Sequence, residues 1–349
     1  MWRMTLSPGR CLLILAAALL LDGSPLGLSP AAAQTAPAPS AEADPDGLAP
    51  VRQAIVGVLA RIPSTARTAA VLGTTRQGTG VLIDAEGHIV TIGYVILEAD
   101  AVEIYDHQGR RLPALPVGYD ATSGFGLLRA AVPIDAAPLR MGRSATLQPQ
   151  DPVLVVRFGF EDAIAPAVVA SRRTFAGYWE YLLDGAIFTV PALDDFAGAA
   201  LLDQNYELVG IGSLLVGDAV GDRSGVPGNM FVPIDKFSAV LAELKATGRE
   251  GGPPRPWLGL ILREQFDQVL IAQVAVGGPA QSAGIVAGDI LLALEDKPIV
   301  DLADFYRRLW QLGQAGVAVE LTVLRDSAPL RITVHSGDRY DFYRQPTLR

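Results

Sequence analysis

Apolar residues alternate with polar ones, or gather in short continuous runs, along most of this chain, and turn residues separate the runs. "GVLIDAEGHIVTI" places two such runs around Asp84-Ala85-Glu86-Gly87, and "VEIYDHQGRRLPAL" does the same around Asp106-His107-Gln108-Gly109. Period-two alternation broken by acidic and glycine residues predicts β-hairpins. "DPVLVVRFGF", "EYLLDGAIFTV", "ELVGIGSLL" and "NMFVPI" extend the series to Ile234. So many short strands in succession predict a closed or paired-barrel β domain.

Helical spacing is confined to a few stretches. Val51, Ile55, Val58, Leu59 and Ile62 share one helical face, and Pro63 would stop that helix. In "DKFSAVLAELKATG" the residues Phe237, Val240, Leu241 and Leu244 do the same, with Gly248 past the end. A Gly/Pro linker, "REGGPPRP" (249–256), then introduces a smaller α+β module. Its predicted strands are "WLGLILRE", "VLIAQVAV", "DILLALEDKPI", "VAVELTVLRD" and "APLRITVHS". Its helices are "PAQSAG", with Pro279 in the first turn and Gly284 at the end, and "DLADFYRRLWQL". In the latter Asp301 is the expected cap, and Leu302, Phe305, Tyr306, Leu309 and Leu312 form the apolar face.

The N-terminus reads differently. Arg3 and Arg10 precede the apolar run Cys11–Leu21, and "AAAQ" offers cleavage after Ala33, which predicts a secretory signal peptide over 1–33 and a periplasmic or secreted mature chain. Residues 34–50 are Ala/Pro/acid-rich and aperiodic, a flexible leader. The resulting division is 51–248 for the β domain, 249–256 for the linker, 257–338 for the second module and 339–349 for a tail.

Composition narrows the chemistry. Of 349 residues half are hydrophobic, and the formal net charge is −9. Losing Arg3, Arg10 and Asp22 with the leader makes it one unit more negative, so nucleic acid and anionic membranes are poor candidate partners. The single cysteine leaves with the signal peptide, which removes disulfides, a thiolate nucleophile and Cys metal sites from the expected mature chain. His88, His107 and His335 read as hairpin-turn or strand residues, Asp194-Asp195 as a solvated pair and Arg172-Arg173 as an exposed turn. No metal or cofactor is expected.

One loop carries the functional question. In "VPALDDFAGAALLDQNYELVGIG" (190–212) a tight small-residue turn precedes a hairpin, as in loops that present a nucleophile before backbone N–H donors, yet its crest is Phe196, Ala197 and Gly198. With "GTGVLIDAEGHIVT", "VGYDATSGFGLLRA", "LRMGRSATLQPQDPVLVV", "GAALLDQNYELVGI", "PGNMFVPI", "WLGL" and "GPAQSAGIVAGDILLALEDKPI" in this order, the mature chain resembles the HtrA/Deg family of secreted serine proteases. The resemblance implies a mainly β fold, a trypsin-like double β-barrel domain followed by an α+β PDZ domain.

That resemblance places Tyr94 (in Thr91-Ile92-Gly93-Tyr94-Val95-Ile96) at the family's catalytic histidine. It places Gly124 (in Asp120-Ala121-Thr122-Ser123-Gly124-Phe125-Gly126-Leu127-Leu128) at the aspartate and Ala197 at the serine. Asp195 stands where the family has an oxyanion-loop glycine, beside Phe196 and Gly198. A methyl group cannot attack a carbonyl, a phenol with a pKa of about 10 is a poor base near neutrality, and Gly124 offers no orienting carboxylate. The expectation is therefore a non-enzymatic pseudoprotease, with Tyr94 and Phe196 filling the vacated cleft and the Tyr94 hydroxyl bonded to backbone or water.

The second module is expected to bind peptides or protein C-termini by strand addition, with a carboxylate held by consecutive N–H groups of Trp257-Leu258-Gly259-Leu260. Leu260, Leu262, Phe266, Phe305 and Leu309 would line its apolar pocket. The functional expectation is a scaffold, adaptor or chaperone-like factor in protein quality control. The alternatives are an active HtrA-type endopeptidase or a regulatory subunit of an active relative, with a trimer implied by the resemblance alone.

Overall fold

The computed structural model describes residues 47–159, 163–221 and 224–344. The signal-peptide expectation, with Ala33, and most of the leader lie outside these residues.

The alternating runs form two closed six-stranded barrels. Strands β1 (Ile55–Arg61), β2 (Thr75–Leu82), β3 (His88–Ile92), β4 (Ala101–Tyr105), β5 (Arg111–Tyr119) and β6 (Phe125–Ala130) close the first in the order β1-β2-β3-β6-β5-β4. Strands β7 (Pro152–Val156), β8 (Ile164–Gly177), β9 (Tyr181–Val190), β10 (Ala200–Leu202), β11 (Leu208–Val216) and β12 (Gly228–Pro233) close the second in the order β10-β11-β12-β9-β8-β7. Closure leaves neither sheet an unpaired edge. Inward residues such as Val56, Ile89, Ile104 and Leu127 in the first barrel, and Val155, Val169, Ile187 and Phe231 in the second, are fully buried.

Two expectations are corrected here. The helix predicted over Val51–Ile62 is only a short α1 (Ala49–Ala54), and the chain then extends as β1. β1 pairs with β2 on one side and β4 on the other, so backbone pairing that closes the barrel overrides a 3.6-residue apolar pattern. Arg172-Arg173 is not an exposed turn. Both residues lie within β8, where Arg172 donates to the carbonyls of Ser144 (2.7 Å) and Gly185 (3.2 Å), and Arg173 stacks on the Phe188 ring at 3.6 Å.

Two further short helices, α2 (Ala69–Leu72) and α3 (Gly93–Ile96), lie between strands of the first barrel. Helix α4 (Ile234–Thr247) follows β12, ends at Gly248 as the sequence predicts, and sets Phe237 against Phe125 of the first barrel at 5.1 Å between rings. Beyond the linker, β13 (Leu260–Gln265), β14 (Gln268–Val274), β15 (Ile290–Leu294), β17 (Ala318–Arg325) and β18 (Ala328–His335) form a sheet in the order β13-β14-β15-β17-β18, with the short β16 (Lys297–Pro298) on β15. Helix α5 (Pro279–Ser282) is one turn; α6 (Leu302–Gln311) is capped by Asp301, which accepts from the Asp304 N–H at 2.7 Å. Leu302, Phe305, Tyr306 and Leu309 bury the predicted face of α6. The tail adds α7 (Arg339–Phe342), whose Phe342 ring packs on Trp257 at 4.4 Å.

β8 and β9 form the longest hairpin. Its turn, Tyr178-Trp179-Glu180, lies against the start of β13, and Leu182 of β9 is buried in the apolar core of the second module. This contact shapes the second of the two candidate sites.

Candidate functional sites

The crest loop lies where the two barrels meet. The Ala197 carbonyl accepts from the Thr79 N–H of β2 at 2.8 Å, the Gly198 N–H donates to Gly212 of β11 at 2.8 Å, and the Ala199 N–H closes a turn onto Phe196 at 3.0 Å. Gly198 has φ +77°, and a Cβ there would lie 2.0 Å from the Thr79 carbonyl oxygen. Only glycine permits that approach.

Tyr94 stands on α3, whose first N–H (Gly93) donates to the Gly124 carbonyl at 2.7 Å. Gly78 of β2 completes the junction: a Cβ there would lie 2.8 Å from the Ala197 carbonyl oxygen and 3.1 Å from the Val95 side chain. The structure therefore brings together the segments carrying Tyr94, Gly124 and Ala197. The Tyr94 hydroxyl donates across the barrel junction to the Ser213 carbonyl of β11 at 2.9 Å, which supplies the backbone partner expected of it. Burial pushes its phenol above the ordinary range, so the neutral form is held. Nearby hydroxyls are engaged: Thr91 Oγ1 donates to the Thr79 carbonyl at 2.7 Å, and Thr79 Oγ1 accepts from the Phe158 N–H at 3.1 Å. Asp194 and Asp195 are exposed, as the sequence reading has them, and Phe196 is half-buried. His88 departs from that reading: it is buried on β3, with Nδ1 2.9 Å from Asp84, whose carboxylate also pairs with Lys245 at 2.7 Å.

The second site is the loop before β13. The N–H groups of Leu258, Gly259 and Leu260 converge on the side-chain carboxylate of Glu180, at 3.0, 2.7 and 2.8 Å. Gly259 has φ +82°, the conformation that turns consecutive N–H groups onto one anion. Glu180 is 1% exposed. Burial pushes its carboxyl pKa up, against the opposing pull of Arg339 and of the three N–H donors. Around it the Leu262 N–H donates to the Tyr178 carbonyl at 2.7 Å, the Tyr306 hydroxyl donates to the Gly177 carbonyl at 2.7 Å, and Arg339 donates to the carbonyls of Trp179 (3.0 Å) and Glu180 (2.6 Å).

Of the predicted peptide-site residues, Trp257, Leu258, Leu260, Leu262, Phe305 and Leu309 are all buried in or beside the module's core. Phe266 is corrected: it sits at the tip of the β13–β14 turn with φ +51°, is 87% exposed, and cannot line a pocket with the others. Sequence reasoning missed Glu180, Tyr178, Tyr306 and Arg339. "YWEYLLDG" reads as the entry to a strand, and nothing local in it announces a partner some eighty positions away.

With this geometry in place, comparison with known proteins is informative. Residues 78–211 match the trypsin-like peptidase domain, and residues 256–335 match the PDZ domain. The chain is 29% identical over 284 residues to a probable periplasmic serine endoprotease DegP-like of Pseudomonas savastanoi pv. phaseolicola, covering 76% of this chain and 56% of that protein. It is 29% identical over 296 residues to the serine protease PepD of Mycobacterium tuberculosis, covering 77% and 62%. It is 27% identical over 271 residues to the periplasmic pH-dependent serine endoprotease DegQ of Escherichia coli, covering 74% and 58%. The chain thus spans little more than half the length of these relatives. Among solved structures, the HtrA-type protease AlgW with decapeptide aligns at a TM-score of 0.51 and 20% identity, over 82% of this chain and 96% of that one, a likeness of fold. The fold is confirmed as mainly β, a trypsin-like double barrel followed by a PDZ domain.

These findings overturn one expectation. The sequence alone predicts a non-enzyme, whereas the relatives are named serine proteases and endoproteases, which points to an enzyme. Among the described residues no helix is long and apolar enough to cross a membrane.

Proposed function

Taking the chain as a member of the HtrA family, which the two domain matches and the named relatives support, we propose that it serves periplasmic serine endoproteolysis of polypeptides. Its role in this proposal is that of a regulatory subunit acting with a relative that supplies the catalytic serine. The observation that carries the reading is the loop 258–260, which turns three successive N–H groups onto one carboxylate, the chemistry by which strand-adding domains hold a polypeptide C-terminus. The barrel junction favours partnership with a relative: Ala197 presents a methyl group, and the Tyr94 hydroxyl is committed to the Ser213 carbonyl. The relatives' names favour a second reading, in which this chain is itself the endopeptidase.

The test mixes the purified mature chain with a serine-bearing HtrA-type relative and follows cleavage of an unfolded protein such as casein. A saturable, ratio-dependent change in rate supports the regulatory role. No change at any ratio overturns it. Cleavage by this chain alone, lost when a residue of its own barrel junction is changed, establishes the second reading instead.

A further inference from the structure

The PDZ nest is occupied, and its occupant belongs to the same chain. We propose that Glu180 is an internal ligand whose side-chain carboxylate stands in for a polypeptide's terminal carboxylate, so that a protein C-terminus binds only by displacing the turn 177–180. This inference rests on the reading that the module takes polypeptide C-termini, and adds what controls access to it.

The register of the contacts carries the argument. β13 is the edge strand of its sheet, with β14 on one side. On its other side the Glu180 carboxylate meets the N–H of Leu260, and the carbonyl of Tyr178, two residues earlier, meets the N–H of Leu262, two residues later. Antiparallel strand addition produces that pattern, since alternate N–H groups of an edge strand point to one side. A peptide ending at the nest would place its carboxylate on Leu258–Leu260 and its third-last carbonyl on Leu262. The hairpin turn reproduces both ends of this arrangement, although its backbone runs on into β9.

The turn is held as well as docked. Tyr306 of α6 donates to Gly177 and accepts from the Glu180 N–H at 3.2 Å, Arg339 takes the carbonyls of Trp179 and Glu180, and Leu182 fills part of the module's apolar core. A peptide therefore competes against a tethered ligand. Its apparent dissociation constant rises in inverse proportion to the small fraction of molecules with the turn released.

The test uses the full mature chain and a fluorescent peptide ending in leucine, as free acid and as C-terminal amide. The free acid is expected to bind Glu180→Ala at least about 10-fold more tightly than the unmodified chain, because the competing carboxylate is gone while the three N–H donors stay. Equal affinity for the two proteins overturns the internal-ligand proposal and leaves peptide binding standing. Absence of binding to both, or equal binding of acid and amide, overturns carboxylate capture itself and the present inference with it. Should Glu180→Ala not fold, the unmodified chain supplies the second readout. Saturating free-acid peptide should accelerate hydrogen exchange at the Glu180 amide, and unchanged exchange with peptide bound overturns displacement.

Discussion

The barrel junction and the PDZ nest are built on the same plan and end differently. Each is a loop made possible by one glycine in the left-handed region, Gly198 in the first and Gly259 in the second, and each is walled by an adjoining strand. At the junction, function in a serine protease depends on side chains, and the resemblance to HtrA proteases is what sets Tyr94, Gly124 and Ala197 against those positions. At the nest, function depends on backbone N–H groups, which almost any sequence supplies once φ is right. Substitution can therefore empty the first of its chemistry while leaving the fold intact. The second is altered only by what is laid against it, and here that is Glu180.

The largest expected effect tests whether side chains are what the junction lacks. Ala197→Ser alone should leave casein cleavage at the level of the unmodified chain, because the Tyr94 hydroxyl is committed to the Ser213 carbonyl and burial holds its phenol neutral. Combining it with Tyr94→His and Gly124→Asp should raise cleavage by about 10²-fold or more, the usual contribution of a positioned base. A Cβ at Gly124 clears its nearest neighbour at 3.6 Å, but with φ +89° the aspartate adds backbone strain of about 1–2 kcal/mol that the triple variant has to absorb. If the serine variant alone gains as much as the triple variant, a base comes from elsewhere and the contrast between the two sites is wrong.

A second comparison sets one glycine against the other. A Cβ at Gly198 would lie 2.0 Å from the Thr79 carbonyl and 2.6 Å from Thr91 Oγ1, both fixed by hydrogen bonds, whereas at Gly259 it would meet Ala275 Cβ at 3.1 Å and the Trp257 ring at 3.3 Å. Gly198→Ala should therefore cost about 3 kcal/mol or more, backbone strain and overlap together, and Gly259→Ala about 1–2 kcal/mol from strain alone. Urea unfolding midpoints of the two variants measure the difference. Equal losses would show that the junction is as compliant as the nest.

How much of this was legible in the sequence follows from the range of the forces involved. The hairpins around Asp84–Gly87 and Asp106–Gly109, the Asp301 cap and the apolar face of α6 are written in local pattern, and the structure reproduces them. Ile55–Arg61 is ambiguous because its apolar spacing fits either a helix or a strand, and pairing with both β2 and β4 decides the matter. For Arg172 and Arg173 a charged pair suggests solvent, while their guanidinium groups are spent on carbonyls across the barrel. Phe266 is apolar, which suggests a pocket, though its turn directs it outward. Glu180 could not be found at all: its role exists only once β13 is within reach of the β8–β9 turn.

The last prediction concerns a second buried carboxyl, Asp120, on the loop that leads to Gly124. It accepts from the N–H groups of Thr122 (2.9 Å) and Ser123 (3.2 Å) and from the Ser123 hydroxyl, a shell that resembles the nest around Glu180. What differs is the neighbour: Glu180 has Arg339, whereas Asp120 faces Glu250, which is itself bound by the Tyr340 hydroxyl. Burial, and then repulsion from Glu250, push the Asp120 carboxyl up to about 6. A carboxyl whose folded pKa is raised stabilises the fold in its protonated form. That contribution is complete below the unfolded value of about 3.9 and is lost as pH climbs through the folded one. Asp120→Asn imitates the protonated acid and keeps an oxygen acceptor for the loop. The unmodified chain should therefore lose about 1–3 kcal/mol between roughly pH 4 and pH 7 from this group, a loss absent in the variant. Urea titrations across that range read it directly. Parallel pH profiles for the two proteins would mean that the N–H donors alone hold Asp120 ionised, so that the neighbouring charge is not what separates it from Glu180.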